Sequence, residues 1–353
     1  MKKNYTFLLL LVSVVLFAQA PANYYNNATG TGYTLKTQLK TIISTGAIDK
    51  GYAALWNLYY TSDVRADGKV WDMYSDCNMT FGTDQDTGSS GTSQCQKYNR
   101  EHSFPKSWFN DAAPMVSDAY HILPADKYVN GVRGNFAYGI VGTANFTSFN
   151  GSKRGNNIAP GAPSAIVFEP ADEFKGDFAR IYFYMATRYQ DVVANWTGND
   201  SDGDSMLDGT SNKVFSQWTL DMLYQWHIAD PVSVKETNRN NVVYNYQNNR
   251  NPFVDHPEYV AIIWGASLST TQFNTIAAVT VYPNPSNDHR INISYEDTID
   301  EIQLINVNGQ IMQQITKPAS SNSTYTIENI PTGFYFLRLS NGGQSVVKKV
   351  IVN

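Results

Sequence analysis

The stretch from Tyr98 to Phe136 limits this chain more than any other. It opens with Tyr98-Asn99-Arg100-Glu101-His102-Ser103-Phe104-Pro105-Lys106-Ser107-Trp108-Phe109 and closes with Asp118-Ala119-Tyr120-His121-Ile122-Leu123-Pro124-Ala125-Asp126-Lys127-Tyr128-Val129-Asn130-Gly131-Val132-Arg133-Gly134-Asn135-Phe136. β-type runs around His102 and over residues 120–123, then a short helix over 125–133 after Pro124, make a strand, loop, strand, helix unit. Such a unit brings Glu101 and His102, on the first strand, close to Asn130 on the helix.

That convergence suits phosphodiester cleavage with one hard metal ion. Glu101 offers a carboxylate oxygen and Asn130 an amide oxygen, the donors that Mg²⁺ or Ca²⁺ prefers; Mg²⁺ keeps several waters, so two side chains suffice. His102 points to the other side of the strand and, with a pKa near neutrality, is suited to take a proton from an attacking water. The metal would polarise the phosphate and stabilise charge on the leaving 3′ oxygen. A lone Glu-His pair on a strand is ordinarily structural, and it is the ordered series around it that gives it weight. His121, between Tyr120 and Ile122, reads as a buried, hydrogen-bonded supporting residue.

The run Arg-Glu-His-Ser-Phe-Pro-Lys-Ser-Trp-Phe, followed by Asp-x-x-His-x-x-Pro and Val-Asn-Gly-x-Arg-x-Asn-Phe, resembles the endonuclease I family. Those are secreted, largely sequence-nonspecific nucleases with a ββα-metal (His-Me) finger. The resemblance implies an α+β catalytic domain with helices around the finger, His102 as general base, and Glu101 and Asn130 as metal ligands. The run 70–76, with Asp72-Met73-Tyr74-Ser75-Asp76, resembles a strand of that family, and the segments 176–185 and 250–253 are also similar to it. Family members carry a further arginine between the two halves of the motif, and none lies between His102 and Asn130 here. Arg133, as a phosphate clamp, and Arg250 or Lys106, as substrate contacts, stay open as replacements. The expected cofactor is Mg²⁺, with Mn²⁺ or Ca²⁺ as alternatives. The expected substrate is DNA, RNA or both, because backbone-directed cleavage needs no base readout.

At 353 residues, one catalytic domain and a smaller one are expected, and 42% hydrophobic content excludes a disordered chain. The formal net charge is −5, whereas nucleic-acid binders usually carry a basic footprint. An enzyme that turns over and neutralises phosphate with metal needs less of one. Any basic groove is therefore local, with Lys106, Lys127, Arg133 and Arg250 as its candidates.

Residues 1–20 read as an export signal: Lys2 and Lys3, an apolar run over 7–17 broken only by Ser13, then Ala18-Gln19-Ala20. The run is short for a membrane span. In an exported protein the two cysteines, Cys77 and Cys95, suggest a disulfide. Leu35, Leu39, Ile42 and Ile43 mark a helix ended by Gly46; further helices are expected over 176–189 and 213–226, and one opens at the capping box Ser233-x-x-Glu236. Residues 138–154 look loop-like. Asp200, Asp202, Asp204 and Asp208 around Gly203 resemble the first half of a calcium loop, without the closing Glu; a solvated acidic loop is the other reading.

From about residue 277 the pattern changes to short β runs after Tyr282-Pro283-Asn284-Pro285, with turns at Asn308-Gly309 and Asn341-Gly342-Gly343. This predicts a small antiparallel β-sandwich over 277–353, behind a catalytic domain over 21–276. The segment resembles the C-terminal sorting domain of the type IX secretion pathway, which implies that machinery as partner and a secreted or cell-surface product; a monomer is expected. A competing reading is a calcium-binding cell-surface adhesion protein with a vestigial finger; intact Glu101, His102 and Asn130 argue against it.

Overall fold

The computed structural model describes residues 20–88, 91–268, 279–295, 298–306, 310–321, 323–341 and 344–353. The expected export signal, all but Ala20, lies outside the described residues. The chain falls into two units, Met1–Leu268 and Ser269–Asn353.

Helix α1 (Gly32–Ser44) buries Leu35, Leu39 and Ile43 at four-residue spacing, and α2 (Leu55–Ser62) buries Leu55, Leu58, Tyr59 and Ser62 on one face. Strand β1 (Tyr98–His102) pairs antiparallel with β2 (Ile122–Asp126), Glu101 opposite Leu123 and His102 opposite Ile122. Pro124 in β2 has no amide to give, which a two-stranded sheet tolerates because every strand is an edge.

Helix α3 (Lys127–Arg133) follows directly, and seven residues are too few to hold themselves helical. Asp126 fixes its start, accepting the amides of Tyr128 (2.8 Å) and Val129 (3.0 Å). Asp126 is itself held at its amide by Asp72 Oδ1 (3.0 Å), and its Oδ2 accepts the amide of Cys95 (2.5 Å). Cys95 is disulfide-bonded to Cys77, 18 residues earlier, so the bridge braces the cap of α3. Replacing both cysteines by serine is expected to cost roughly 3 kcal/mol in a urea titration, as loop-closure entropy predicts. A midpoint equal to wild type would show that the 77–95 loop is held by other contacts. The 70–76 run is a set of turns rather than a strand, pinned where Asp72 accepts the amide of Tyr74 (2.9 Å).

Residues 138–154, expected as loop, instead build most of a sheet. Strands β3 (Val141–Thr147), β4 (Lys153–Asn157) and β5 (Ile166–Glu169) lie in that order, all antiparallel. The apolar signal sits in β5, where Val167 and Phe168 are buried; β4 is Asn- and Gly-rich and joins through its backbone. Gly155 is required there, since a Cβ would stand 2.1 Å from the carbonyl oxygen of Thr143 across the irregular β3–β4 register.

Helix α4 (Lys175–Arg188) is buried on nearly every side and forms the hub. A short helix α5 (Ser201–Met206) precedes α6 (Gln217–Ala229), which packs on α4. The helix α6 starts at Gln217 rather than 213, because Phe215 is bridged to Leu207 in extended form. The capping box at Ser233 and Glu236 opens α7 (Val234–Gln247), and α8 (Pro252–Asp255) and α9 (Glu258–Trp264) complete the unit. Buried ion pairs tie these layers: Arg180–Glu236, Lys235–Asp177 (2.9 Å) and Arg239–Asp63 (2.8 Å).

The second unit is all β. Strands β6 (Thr280–Tyr282), β7 (Ile291–Ser294) and β10 (Thr324–Ile327) form one sheet in the order β10-β7-β6. Strands β8 (Glu301–Asn306), β9 (Ile311–Thr316), β11 (Gly333–Asn341) and β12 (Gln344–Val352) form another in the order β12-β11-β8-β9. Ile291, Ile293 and Ile327 from the first sheet meet Leu304, Leu337 and Val350 from the second in one core. Asn308, Gly309, Gly342 and Gly343 of the expected turns lie outside the described residues.

Candidate active site

Alternation along β1 sends Asn99 and Glu101 to one face and Arg100 and His102 to the other. The first face meets α3. Asn130 Nδ2 donates to Asn99 Oδ1 (2.8 Å), and Arg133, one turn on, pairs through Nη1 with Glu101 Oε1 (3.1 Å). Glu101 Oε1 also accepts the Tyr74 hydroxyl (2.8 Å), which lies 2.7 Å from that of Tyr138. Glu101 is 4% exposed, and burial pushes its carboxyl up to about 7 against the pull of Arg133 and Tyr74.

With Oε1 committed, Glu101 Oε2 makes no hydrogen bond among the described residues, and neither does the Asn130 amide oxygen. Two unpartnered oxygen donors of this kind fit a hard divalent cation. Asn99 fixes the amide of Asn130 so that nitrogen faces the strand, an orienting role that the sequence did not reveal.

On the other face, His102 Nε2 lies 3.1 Å from the Val116 carbonyl, so Nε2 carries the proton and Nδ1 keeps its lone pair. The Tyr52 ring stacks on the imidazole at 5.3 Å with planes 22° apart. Burial, with His121 and Lys106 nearby, pushes His102 down to about 3, below the near-neutral value expected from sequence, and leaves the ring neutral at neutral pH. His121 is fully buried and its Nε2 meets the Met115 carbonyl at 2.7 Å. Adjacent carbonyls of one short turn (Met115–Ser117) thus hold both imidazoles. Asp118 anchors the end of that turn by accepting the hydroxyls of Tyr184 (2.8 Å) and Tyr189 (2.7 Å). Tyr52, Tyr74, Tyr138 and the Val116 carbonyl were missed in sequence. A phenol or a backbone oxygen carries no spacing signal.

Three expectations change. Arg133 is 1% exposed and gives its other hydrogen bonds to the carbonyls of His102 (3.1 Å) and Ser103 (2.6 Å), so it is a brace behind Glu101 and not a phosphate clamp. Arg250 is equally buried, held by both carboxylate oxygens of Asp255 (2.6 and 2.7 Å) and by Asn241, which removes it from substrate contact. The carboxylates of the acidic run do not converge on one point as a calcium loop requires. Asp200 caps α5, accepting the Asp202 amide (3.0 Å) and the Ser107 hydroxyl (2.7 Å); Asp204 accepts the Gly198 amide (2.6 Å); Asp208 faces Thr210 and Lys213. Among the described residues, the group of His, Cys, Asp and Glu close enough to share an ion is Cys77, Cys95 and Asp126, whose sulfurs are bonded to each other. Lys106 stays on the surface, its side chain 55% exposed and paired with Asp111 (2.6 Å).

Residues 31–258 match the family profile of Endonuclease I, and residues 280–353 match that of a secretion system C-terminal sorting domain. Extracellular ribonucleases of Bacillus amyloliquefaciens and Bacillus subtilis (strain 168) are 33% and 34% identical over 251 and 249 residues, or 68% of this chain and 78% of each relative. A solved structure of PorZ, a bacterial surface component of the type-IX secretion system of Porphyromonas gingivalis, is alike over 24% of this chain and 13% of its own. At 14% identity and a TM-score of 0.20 that likeness carries no argument. The profile extends through β1, β2 and α3, and with the two relatives it shows that the chain belongs to the endonuclease I family and is a secreted or cell-surface nuclease.

Proposed function

We propose that this nuclease is a metal-dependent endonuclease that hydrolyses phosphodiester bonds of DNA, and of RNA, with little sequence preference. The observation that supports it most is the pairing, across one strand, of a neutral imidazole with a free Nδ1 and two unpartnered oxygen donors. RNA stands beside DNA because both Bacillus relatives are called extracellular ribonucleases.

In this reading β1, β2 and α3 act as a ββα-metal finger. His102 Nδ1 takes a proton from the attacking water. The Val116 carbonyl fixes the tautomer and Tyr52 fixes the ring plane, so the lone pair is aimed before substrate arrives. Glu101 Oε2 and Asn130 Oδ1 would hold a Mg²⁺ ion, which supplies charge neutralisation on the phosphate and the leaving oxygen. Arg133 offsets part of the burial that raises the Glu101 carboxyl, and it holds Oε1 so that Oε2 is left free. Lys106, exposed beside the finger and paired with Asp111, would contact substrate.

Residues 1–20 would direct export, 21–276 would carry catalysis, and 277–353 would present the chain, as a monomer, to the type IX secretion machinery. A truncation ending at Leu268 that still reached the medium would overturn the sorting role. For the activity, the purified mature chain is incubated with plasmid DNA and with structured RNA, in Mg²⁺, Mn²⁺ or Ca²⁺ and in EDTA. Cutting with metal and none in EDTA is the expected result. Undiminished cutting in EDTA would sink the metal site.

A further inference from the structure

Arg100 has no part in the site described so far, and its surroundings are unusual for a cation in this chain. Of the four cations in the 98–136 stretch, Lys106, Lys127 and Arg133 each lie within ion-pair distance of a carboxylate, at 2.6, 2.8 and 3.1 Å. Arg100 has no carboxylate partner among the described residues. Its guanidinium carbon lies 3.6 Å from the Tyr52 ring centre and 4.5 Å from that of Trp56, and Nη1 donates to the Tyr52 carbonyl (2.8 Å). Nε is buried without a partner, and Nη2 makes no hydrogen bond among the described residues. A half-buried guanidinium therefore packs against two aromatic rings, with no carboxylate partner among the described residues and with Nε unpaired.

Its position links it to the chemistry. Arg100 and His102 share a face of β1, roughly 6.6 Å apart along the strand. The Tyr52 ring touches both, packing on the guanidinium and on the imidazole. A polynucleotide placed with one phosphodiester against His102 carries its neighbouring phosphate along the same face.

We propose that Arg100 binds the backbone phosphate adjacent to the scissile one, with Tyr52 and Trp56 holding its guanidinium ready. This rests on the nuclease reading above. A backbone phosphate fits because Arg100 offers charge and a planar fork of donors, and a phosphate contact supports affinity without sequence preference.

The test compares wild type, Arg100→Gln and Arg100→Lys on a long single-stranded substrate over a range of KCl concentrations with Mg²⁺ present. For Arg100→Gln, KM is expected to rise about tenfold or more at low salt. The slope of log(kcat/KM) against log[KCl] should become shallower by about 0.7, the value of one lost phosphate contact on a single strand. Arg100→Lys should keep the wild-type slope because it keeps the charge. An unchanged slope in Arg100→Gln, or equal losses of kcat and melting temperature in both variants, would overturn the proposal and leave Arg100 as packing for Tyr52. Failure of wild type itself to cut would instead remove the nuclease reading, and this inference with it.

Discussion

The His102→Ala variant is expected to lose at least about 10²-fold in kcat while unfolding near the wild-type temperature. The imidazole gives the fold one hydrogen bond, to the Val116 carbonyl, and the face of a ring against Tyr52. Losing these costs about 1 kcal/mol for the hydrogen bond, with a further cavity term from the vacated ring. Catalysis has no substitute base at this position. His121, its ring centre 5.4 Å from that of His102, is buried and tied to Met115, and Glu101 is already engaged by Arg133 and Tyr74. Saturating single-turnover rates beside a thermal melt decide the matter. Cutting within a few-fold of wild type would remove His102 from the mechanism, and restoration by added imidazole would place the lost group in the cavity.

Arg133→Met should be the most destabilising single change around the site, by about 3–5 kcal/mol, because it leaves the Glu101 charge buried without its partner. The carbonyls of His102 and Ser103 lose donors as well. The sign with pH follows from Glu101, whose folded pKa is already raised to about 7 and rises further without Arg133. A carboxyl raised on folding gives its full stability below the unfolded pKa of about 4.3 and loses it as pH rises through the folded value. The variant's deficit should therefore be smaller at pH 5 than at pH 8. Adding Glu101→Gln removes the orphan charge, so the double variant should recover much of the loss. Urea titrations at both pH values check this. A deficit that ignored both pH and the second substitution would mean that Arg133 matters for its volume and its backbone contacts, not for its charge.

How much of this was legible in the sequence depends on the range of the interaction involved. The β1, β2 and α3 unit, the helices α1, α4 and α7, the capping box and the all-β character of the second unit rest on residue types repeated within a few positions, which a linear reading captures. The pairing of Cys77 with Cys95 needed only a count and a compartment. The β3–β4–β5 sheet did not show itself because β4 is polar and contributes backbone rather than pattern.

The acidic run looked like a metal loop because the sequence gives spacing without direction. In the fold, the amides of Asp202 and Gly198 and the Ser107 hydroxyl claim its carboxylates separately. The arginines failed for the same reason. A cation in a motif serves substrate or structure according to which carboxylate folding brings against it. Glu101 reached Arg133 across a strand and a helix, and Asp255 reached Arg250 around the turn into α8. By itself the sequence determined which groups are present and the local elements that carry them. Only the tertiary structure decided which of their atoms stay unpaired, because burial gives each polar atom a partner wherever one is in reach, and what remains open is left for chemistry.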